Sequence, residues 1–279
     1  MRRKYVQMLI FIIISSVFIT QWTEKIISDS QLERLTKGAA YSAEYREQKI
    51  GEQLLPYLKK FSNPGKVVGL YLLDSKFGYD KTKNEYADED FARLEKRWKG
   101  KEKWDVYLEA TESIWNDVKY FPVPLSTVSV DFKTTYVNTW MSERTYGGNR
   151  GHEGTDIMAK NNQRGVCPIV SMTDGKITKK GWLDKGGYRI GVEAPGGAYF
   201  YYAHLDSYAD IEVGDTVSAG DILGFMGDSG YGTEGTKGNF PVHLHLGIYL
   251  YSGGKEVSVN PYWVLRYIEN SKVKCYTES

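Results

Sequence analysis

The sequence predicts an α+β chain. A C-terminal, mostly antiparallel β-sheet or sandwich domain occupies residues 123–279. A mainly helical region over 28–122 precedes it, and an apolar N-terminal segment fills 1–27. Three observations predict this. Before FPVPL (Phe121–Leu125), apolar residues recur at three-to-four spacing, the period of a half-buried helix. After it, short runs rich in Val, Ile, Tyr and Phe are separated by Gly, Asp and Asn, the pattern of strands and tight turns. At the N-terminus, MRRKY is followed by VQMLIFIIISSVFITQW, with no charge until Glu24.

That apolar run is shorter than the roughly 20 residues of a typical membrane span and longer than a signal-peptide core needs. No small-x-small cleavage site follows it: Ser15 and Ser16 lead into Val17, Phe18 and Ile19. An uncleaved single-pass anchor is therefore the preferred reading, with a removed signal peptide as the alternative. Arg2, Arg3 and Lys4 would hold the N-terminus in the cytoplasm, which puts the remainder outside the membrane.

With 279 residues there is room for one large domain or two modest ones. Lys and Arg total 36 against 35 Asp and Glu, so no basic face argues for nucleic-acid binding. Cys167 and Cys275 either pair, as an exported protein allows, or remain free. Cys167 sits in the apolar run CPIV and reads as core, not as a catalytic thiol.

Taken in order, Ser28–Asp29 offers an N-cap to a helix reaching about Phe61, with Leu32, Leu35 and Ala39 on its apolar face and a kink at Pro56. Asn63-Pro64-Gly65 marks a turn. VVGLYLL (Val67 to Leu73) fits a short buried strand or the start of a helix equally. From Asp88, a potential cap, to Val118 the helical spacing returns through Phe91, Leu94, Trp98, Trp104, Tyr107, Leu108, Ile114 and Trp115. Aromatics at that spacing read as packing in preference to a sugar-binding face. FPVPL cannot continue a helix and marks a domain boundary. Beyond it, VSVDF, CPIVSM, KITKKGW, YRIGVEA, AYFYYAHL and HLHLGIYL read as strands. Asp174-Gly175 is a hairpin signal, Pro195-Gly196-Gly197 a turn, and Ile211 to Gly230 two short strands joined by glycine turns.

The chemistry concentrates in the last half of the chain. All four histidines, His152, His204, His243 and His245, lie there. In FPVHLHLGIYL, His243 and His245 alternate with Val242, Leu244 and Leu246, so on a strand both imidazoles share one face about 6.6 Å apart. Imidazole is the commonest metal ligand and a proton carrier near neutral pH. In GHEGTDI, His152 and Asp156 are four apart, and Gly151 and Gly154 argue against a helix. Fully extended, the two would stand about 13 Å apart, so one metal can take both only if the backbone bends, as Gly154 permits. Three protein ligands and an open fourth position define a catalytic zinc site, and His, Asp and His form such a set. Further imidazoles beside it can move a proton or steady an oxyanion.

From about Val128 to Tyr267 the chain resembles the lysostaphin-type, LytM-like zinc peptidases, which cut peptide bridges in bacterial peptidoglycan. The resemblance rests on GHEGTDI, CPIVSMTDGKI, GGYRIGVEAPGGAYFYYAHLD, VGDTVSAGDILGFMGDSG and PVHLHLGIY, in that order. It implies a compact, mostly antiparallel β domain with a groove for extended peptides. It implies one Zn2+ held by His152, Asp156 and His245, with His243 and His204 serving catalysis. The implied substrates are peptidoglycan stem peptides or cross-bridges, both glycyl bridges and D-amino-acid cross-links being open. The implied location is the extracytoplasmic face of the membrane, or secretion if the N-terminal segment is removed. A catalytically silent LytM-like domain that binds peptidoglycan or activates another hydrolase is the rival, and the complete residue set favours the enzyme. One departure stands out. Gly230 is followed by YGTEGTKGNFPV before His243, a longer loop than the family's brief turn. It either edges the groove or is a tolerated surface insertion. The helical region 28–122 would space the domain from the membrane, cover the groove or bind a partner.

Overall fold

The computed structural model describes residues 2–35, 41–78, 86–127 and 132–275. Helix α1 (Arg2–Arg34) opens the chain, and its stretch Lys4–Thr23 is exposed, long enough and apolar enough to cross a membrane. The cap expected at Ser28–Asp29 does not form, because both residues lie inside α1. Residues 23–34 contain no Gly or Pro to interrupt the helix. It ends at Leu35, which is buried with φ at 44°.

The single helix expected up to Phe61 is instead short pieces: α2 (Ala43–Arg46), a 3-10 turn (Glu52–Leu54) and α3 (Leu55–Leu58). Gly51, at φ 74°, supplies the left-handed residue that breaks the run, and Pro56 sits in the first turn of α3. VVGLYLL is helical, within α4 (Pro64–Asp74). Asn63 caps it by accepting from the Lys66 N–H at 2.8 Å, and Pro64 fits the first turn. Helix α5 (Asp88–Trp98) starts one residue after its cap: Asp90, not Asp88, reaches back to the Ala87 N–H at 3.1 Å. Helix α6 (Trp104–Trp115) lies on α4, where the Tyr107 hydroxyl donates to the Gly69 carbonyl at 2.8 Å. Trp98, Trp104, Tyr107 and Trp115 are all buried, so the aromatic stripe is core, as its spacing predicts.

The strands are β1 (Leu125–Ser126), β2 (Thr134–Thr135), β3 (Glu143–Arg144), β4 (Arg150–Gly151) and β5 (Thr155–Ala159). They continue with β6 (Pro168–Val170), β7 (Gly175–Leu183), β8 (Gly187–Glu193), β9 (Tyr199–Tyr208) and β10 (Thr216–Val217). The last four are β11 (Ile222–Met226), β12 (His243–Ser252), β13 (Lys255–Val259) and β14 (Lys274–Cys275), with helix α7 (Tyr262–Ile268) between β13 and β14. Among the described residues the main sheet runs β10-β7-β8-β9-β12-β5-β2, antiparallel throughout. Strand β11 bridges β6 and β9, and β13 hairpins onto β12. The expected VSVDF strand falls largely on 128–131, outside the described residues. Strands β1 to β5, β13 and β14 and helix α7 were not anticipated from the sequence.

Pro195–Gly197 turns β8 into β9 as expected, with the Ala194 N–H donating to the Ala198 carbonyl at 2.9 Å. Asp174-Gly175 is not a hairpin. Strand β6 pairs with β11, β7 pairs with β8 and β10, and Asp174 instead accepts from the Ala219 N–H at 2.8 Å. Both cysteines are free and buried, and burial pushes the Cys167 thiol up to about 12, which removes it as a nucleophile near neutral pH. One hydrophobic core runs from the helical region into the sheet.

Candidate metal and catalytic site

Strands β5, β12 and β9 bring the candidate residues together. In the β5–β12 register His245 faces Asp156, and in the β12–β9 register it faces Ala203, next to His204. The apolar residues alternating with the histidines, Leu244 and Leu246, point to the core and are fully buried, as the alternation predicts. His152 precedes β5 and folds back. Its Nε2 lies 3.1 Å from Asp156 Oδ1 and 3.0 Å from His245 Nδ1, and His245 Nδ1 lies 3.0 Å from Asp156 Oδ1. The bend at Gly154 needs no left-handed backbone. What excludes a side chain there is proximity: a Cβ would stand 2.5 Å from the His245 ring.

Three of the four imidazoles are oriented by a nitrogen turned away from the cluster. His152 Nδ1 faces the Thr139 hydroxyl at 2.9 Å and the Thr139 carbonyl at 3.3 Å. His204 Nδ1 lies 2.7 Å from the Ser229 carbonyl, and His243 Nδ1 lies 2.7 Å from the Pro241 carbonyl. A carbonyl only accepts, so Nδ1 of His204 and of His243 carries the proton and Nε2 is left with a lone pair. The rings of His204 and His243 meet tilted, at 56° with centroids 4.7 Å apart, and His243 Nε2 is 3.7 Å from Asp156 Oδ1.

His204 reaches this place through strain. Its φ is 61°, where residues opposite β8 slip out of register between Tyr202 and Leu205. Such a bulge re-aims a side chain at a cost of order 1 kcal/mol for a non-glycine residue. Burial, then the charges of His243 and His245, lower the His204 pKa well below 6.5. Burial lowers His243 and His245 in the same direction. Burial works to raise the Asp156 carboxyl, but hydrogen bonds from His152 and His245 outweigh it and hold the group far below the usual carboxylate range.

The chemistry of the donor set fits a divalent ion. Three electron-rich atoms meet with mutual distances of 3.0–3.1 Å. Neighbouring corners of a tetrahedron with ligands at about 2.0 Å stand about 3.3 Å apart. Asp156 Oδ2 is occupied separately, accepting from Arg144 Nη2 at 2.6 Å. A groove of about 790 Å3 opens over the trio and over His204 and His243. The loop after Gly230 edges this groove: Tyr231, Phe240 and Pro241 line it, and Phe240 packs on His204 at 4.6 Å between centroids.

All five sequence-predicted residues therefore meet in one place. Arg144 and Thr139 were missed, since each lies in a polar stretch with no periodicity to mark it. Tyr199 and Tyr201 also line the groove, and the period-two pattern of AYFYYAHL already put them on one face.

Fold and site together define a hydrolase of the peptidase class. Residues 150–261 match the model for peptidase family M23, and residues 30–117 match that for the LytM N-terminal domain. The crystal structure of a "putative glycyl-glycine endopeptidase lytM" from Ruminococcus gnavus ATCC 29149 shares 54% identity. It superposes with a TM-score of 0.83 over 88% of this chain and 98% of that one. The chain belongs to peptidase family M23. An L-Ala–D-Glu endopeptidase of Bacillus subtilis (strain 168) is 43% identical over 147 residues, 52% of this chain and 42% of that protein. The glycyl-glycine endopeptidase ALE-1 of Staphylococcus capitis is 39% identical over 102 residues, 36% of this chain and 24% of that protein. The chain thus spans less than half the length of these curated relatives.

Proposed function

We propose that this chain is a zinc metalloendopeptidase that cleaves peptide cross-links or bridges of bacterial peptidoglycan, anchored by α1 with its sheet domain outside the cytoplasmic membrane. The observation that carries this reading is the triangle of His152 Nε2, Asp156 Oδ1 and His245 Nδ1 opening on a groove beside two further imidazoles. His152, Asp156 and His245 would hold one zinc ion. Bound there, zinc supplies a Lewis acid that polarises the scissile carbonyl and acidifies the attacking water.

The remaining work belongs to side chains of this chain. With Nδ1 pinned to carbonyls, His243 and His204 offer bare Nε2 atoms, and their lowered pKa keeps them neutral at pH 7. His243, nearer the trio, takes a proton from the attacking water and returns it to the leaving amine. Between those two transfers the protonated Nε2 of His243 can donate to the oxygen that gains charge, and His204 packs against its ring. Phe240 and Tyr231, packed beside His204, keep bulk water from that side. Two of the relatives carry names for glycyl-glycine bonds and one for an L-Ala–D-Glu bond, all of them peptide bonds.

The test is the purified chain on isolated sacculi. New amino groups should appear, vanish with chelator and return with zinc. Full zinc loading without release from any wall preparation would favour the rival, a silent LytM-like domain that binds peptidoglycan or activates another hydrolase. The complete, convergent residue set speaks against that rival.

A further inference from the structure

The groove holds more positive charge than its own carboxylates neutralise. Arg144, Arg150, Lys179, Lys185 and Arg189 line it against Glu153, Asp156 and Glu256. Every one of those carboxylates is already engaged. Asp156 pairs with Arg144 at 2.6 Å, Glu256 with Lys179 at 2.6 Å, and Glu153 with Arg46 at 2.8 Å. Arg150, Arg189 and Lys185 have no anionic partner among the described residues.

The two arginines are also unsatisfied at buried atoms. Arg150 Nε and Arg189 Nη1 are shielded from solvent and have no hydrogen-bond partner. A buried guanidinium nitrogen without an acceptor is unfavourable, and both side chains, only half-buried, line the groove without an anion to balance them. Tyr201 lines the same groove as this pair. Tyr201 in turn stands edge-on to His245, 6.0 Å between centroids. The floor is kept low by small residues: a Cβ on Gly186 would strike the Tyr201 hydroxyl, and one on Gly247 the Tyr249 ring.

We propose that Arg150 and Arg189, over the Tyr201 floor, form a subsite for a substrate carboxylate next to the reaction centre, so that the enzyme selects acidic peptides over neutral glycine-rich ones. This rests on the peptidase reading for its location and deepens it by naming the substrate class. The guanidinium fork suits a carboxylate, and Tyr201, which shares the groove with both arginines, stands against His245. Lys185, exposed on the rim, adds attraction at longer range.

Binding separates this proposal from catalysis. The full chain carrying His243→Ala is titrated calorimetrically with the capped tripeptide Ala–D-Glu–Ala and with its D-Gln counterpart, which differ only in charge. The acidic peptide should bind about 10- to 100-fold tighter, the range of a charge-assisted hydrogen bond. Arg150→Gln and Arg189→Gln, each in the same background, should remove most of that preference. Equal binding of the two peptides overturns the proposal. So does a preference that survives both arginine substitutions, because the carboxylate would then sit on the metal corner. Failure to cleave sacculi in the unmutated chain would sink the peptidase reading and leave this binding result standing by itself.

Discussion

The Nε2 of His152 and the Nδ1 of His245 lie 3.0 Å apart although 93 residues separate them in the chain. Both atoms also face Asp156 Oδ1, at 3.1 and 3.0 Å, while His152 Nδ1 is turned to Thr139. Three such donor atoms are brought together by the fold, and a divalent cation held among them would take a lone pair from each. Replacing His152, Asp156 or His245 with Ala should therefore each reduce bound zinc below stoichiometric and abolish turnover. Arg144→Ala removes only the partner of Asp156 Oδ2, and an outer partner of this kind is worth about 10- to 100-fold in metal affinity. Elemental analysis after gel filtration reads all four variants. Full zinc in any of the three Ala variants at the trio would exclude that residue as a ligand.

His243 and His204 should behave differently. Their Nε2 atoms flank the trio without closing it, so His243→Ala and His204→Ala should keep the metal while kcat falls about 10²- to 10⁴-fold, the range for a lost general base. Zinc content measured beside turnover on the same preparation checks this. Loss of metal in His243→Ala would make that residue a ligand instead.

Protonation supplies a third expectation. His204 and His243 have folded pKa values below 6.5, chiefly through burial, so the unfolded chain binds more protons near pH 6 than the folded one. Stability is then fully present above about pH 6.5 and is lost as pH falls below it. Asp156, also depressed, adds a second loss only below the ordinary carboxylate value of 3.8. Urea midpoints of the chelator-treated protein should drop between pH 7 and pH 5, and the drop should shrink in His204→Phe. A midpoint flat across that window would contradict burial as the cause.

Most of this site was legible because its signals are local. HLHLGIYL states its strand and its shared face by alternation, and GHEGTDI states two candidate ligands, His152 and Asp156. What escaped is what depends on distant partners. VVGLYLL could not be assigned because Val67–Leu73 are buried on every side in α4, and all-round burial erases the helical period. Asp174-Gly175 has turn chemistry, but whether β6 and β7 pair is decided by β11, some fifty residues further on. The bulge that swings His204 inward leaves no mark on YAHL itself. Arg150 and Arg189 look like surface charges until the groove around them is seen.

Arg46 gives the last prediction, on how the helical region is held to the sheet domain. From α2 its Nε donates to the Ser258 carbonyl at 2.7 Å, its Nη2 to the Ser258 hydroxyl at 2.5 Å and to Glu153 at 2.8 Å, and its guanidinium lies over Trp140 at 5.6 Å. Its own carbonyl accepts from the Asn260 N–H at 2.7 Å. Glu153 is 48% exposed, so solvent screens that pair and it adds little. The bonds to Ser258 are the larger part, and losing them costs about 2 kcal/mol. For a chain of this size that is a fall of roughly 4–8 °C in Tm. Arg46→Lys keeps the charge but not the fork, so it should recover only part of the loss. Because Arg46 touches Glu153 and not the trio, zinc content should stay unchanged while limited proteolysis frees the helical region faster. An unaltered Tm in Arg46→Ala would mean that the buried core shared by helices and sheet holds the two regions together without this strap.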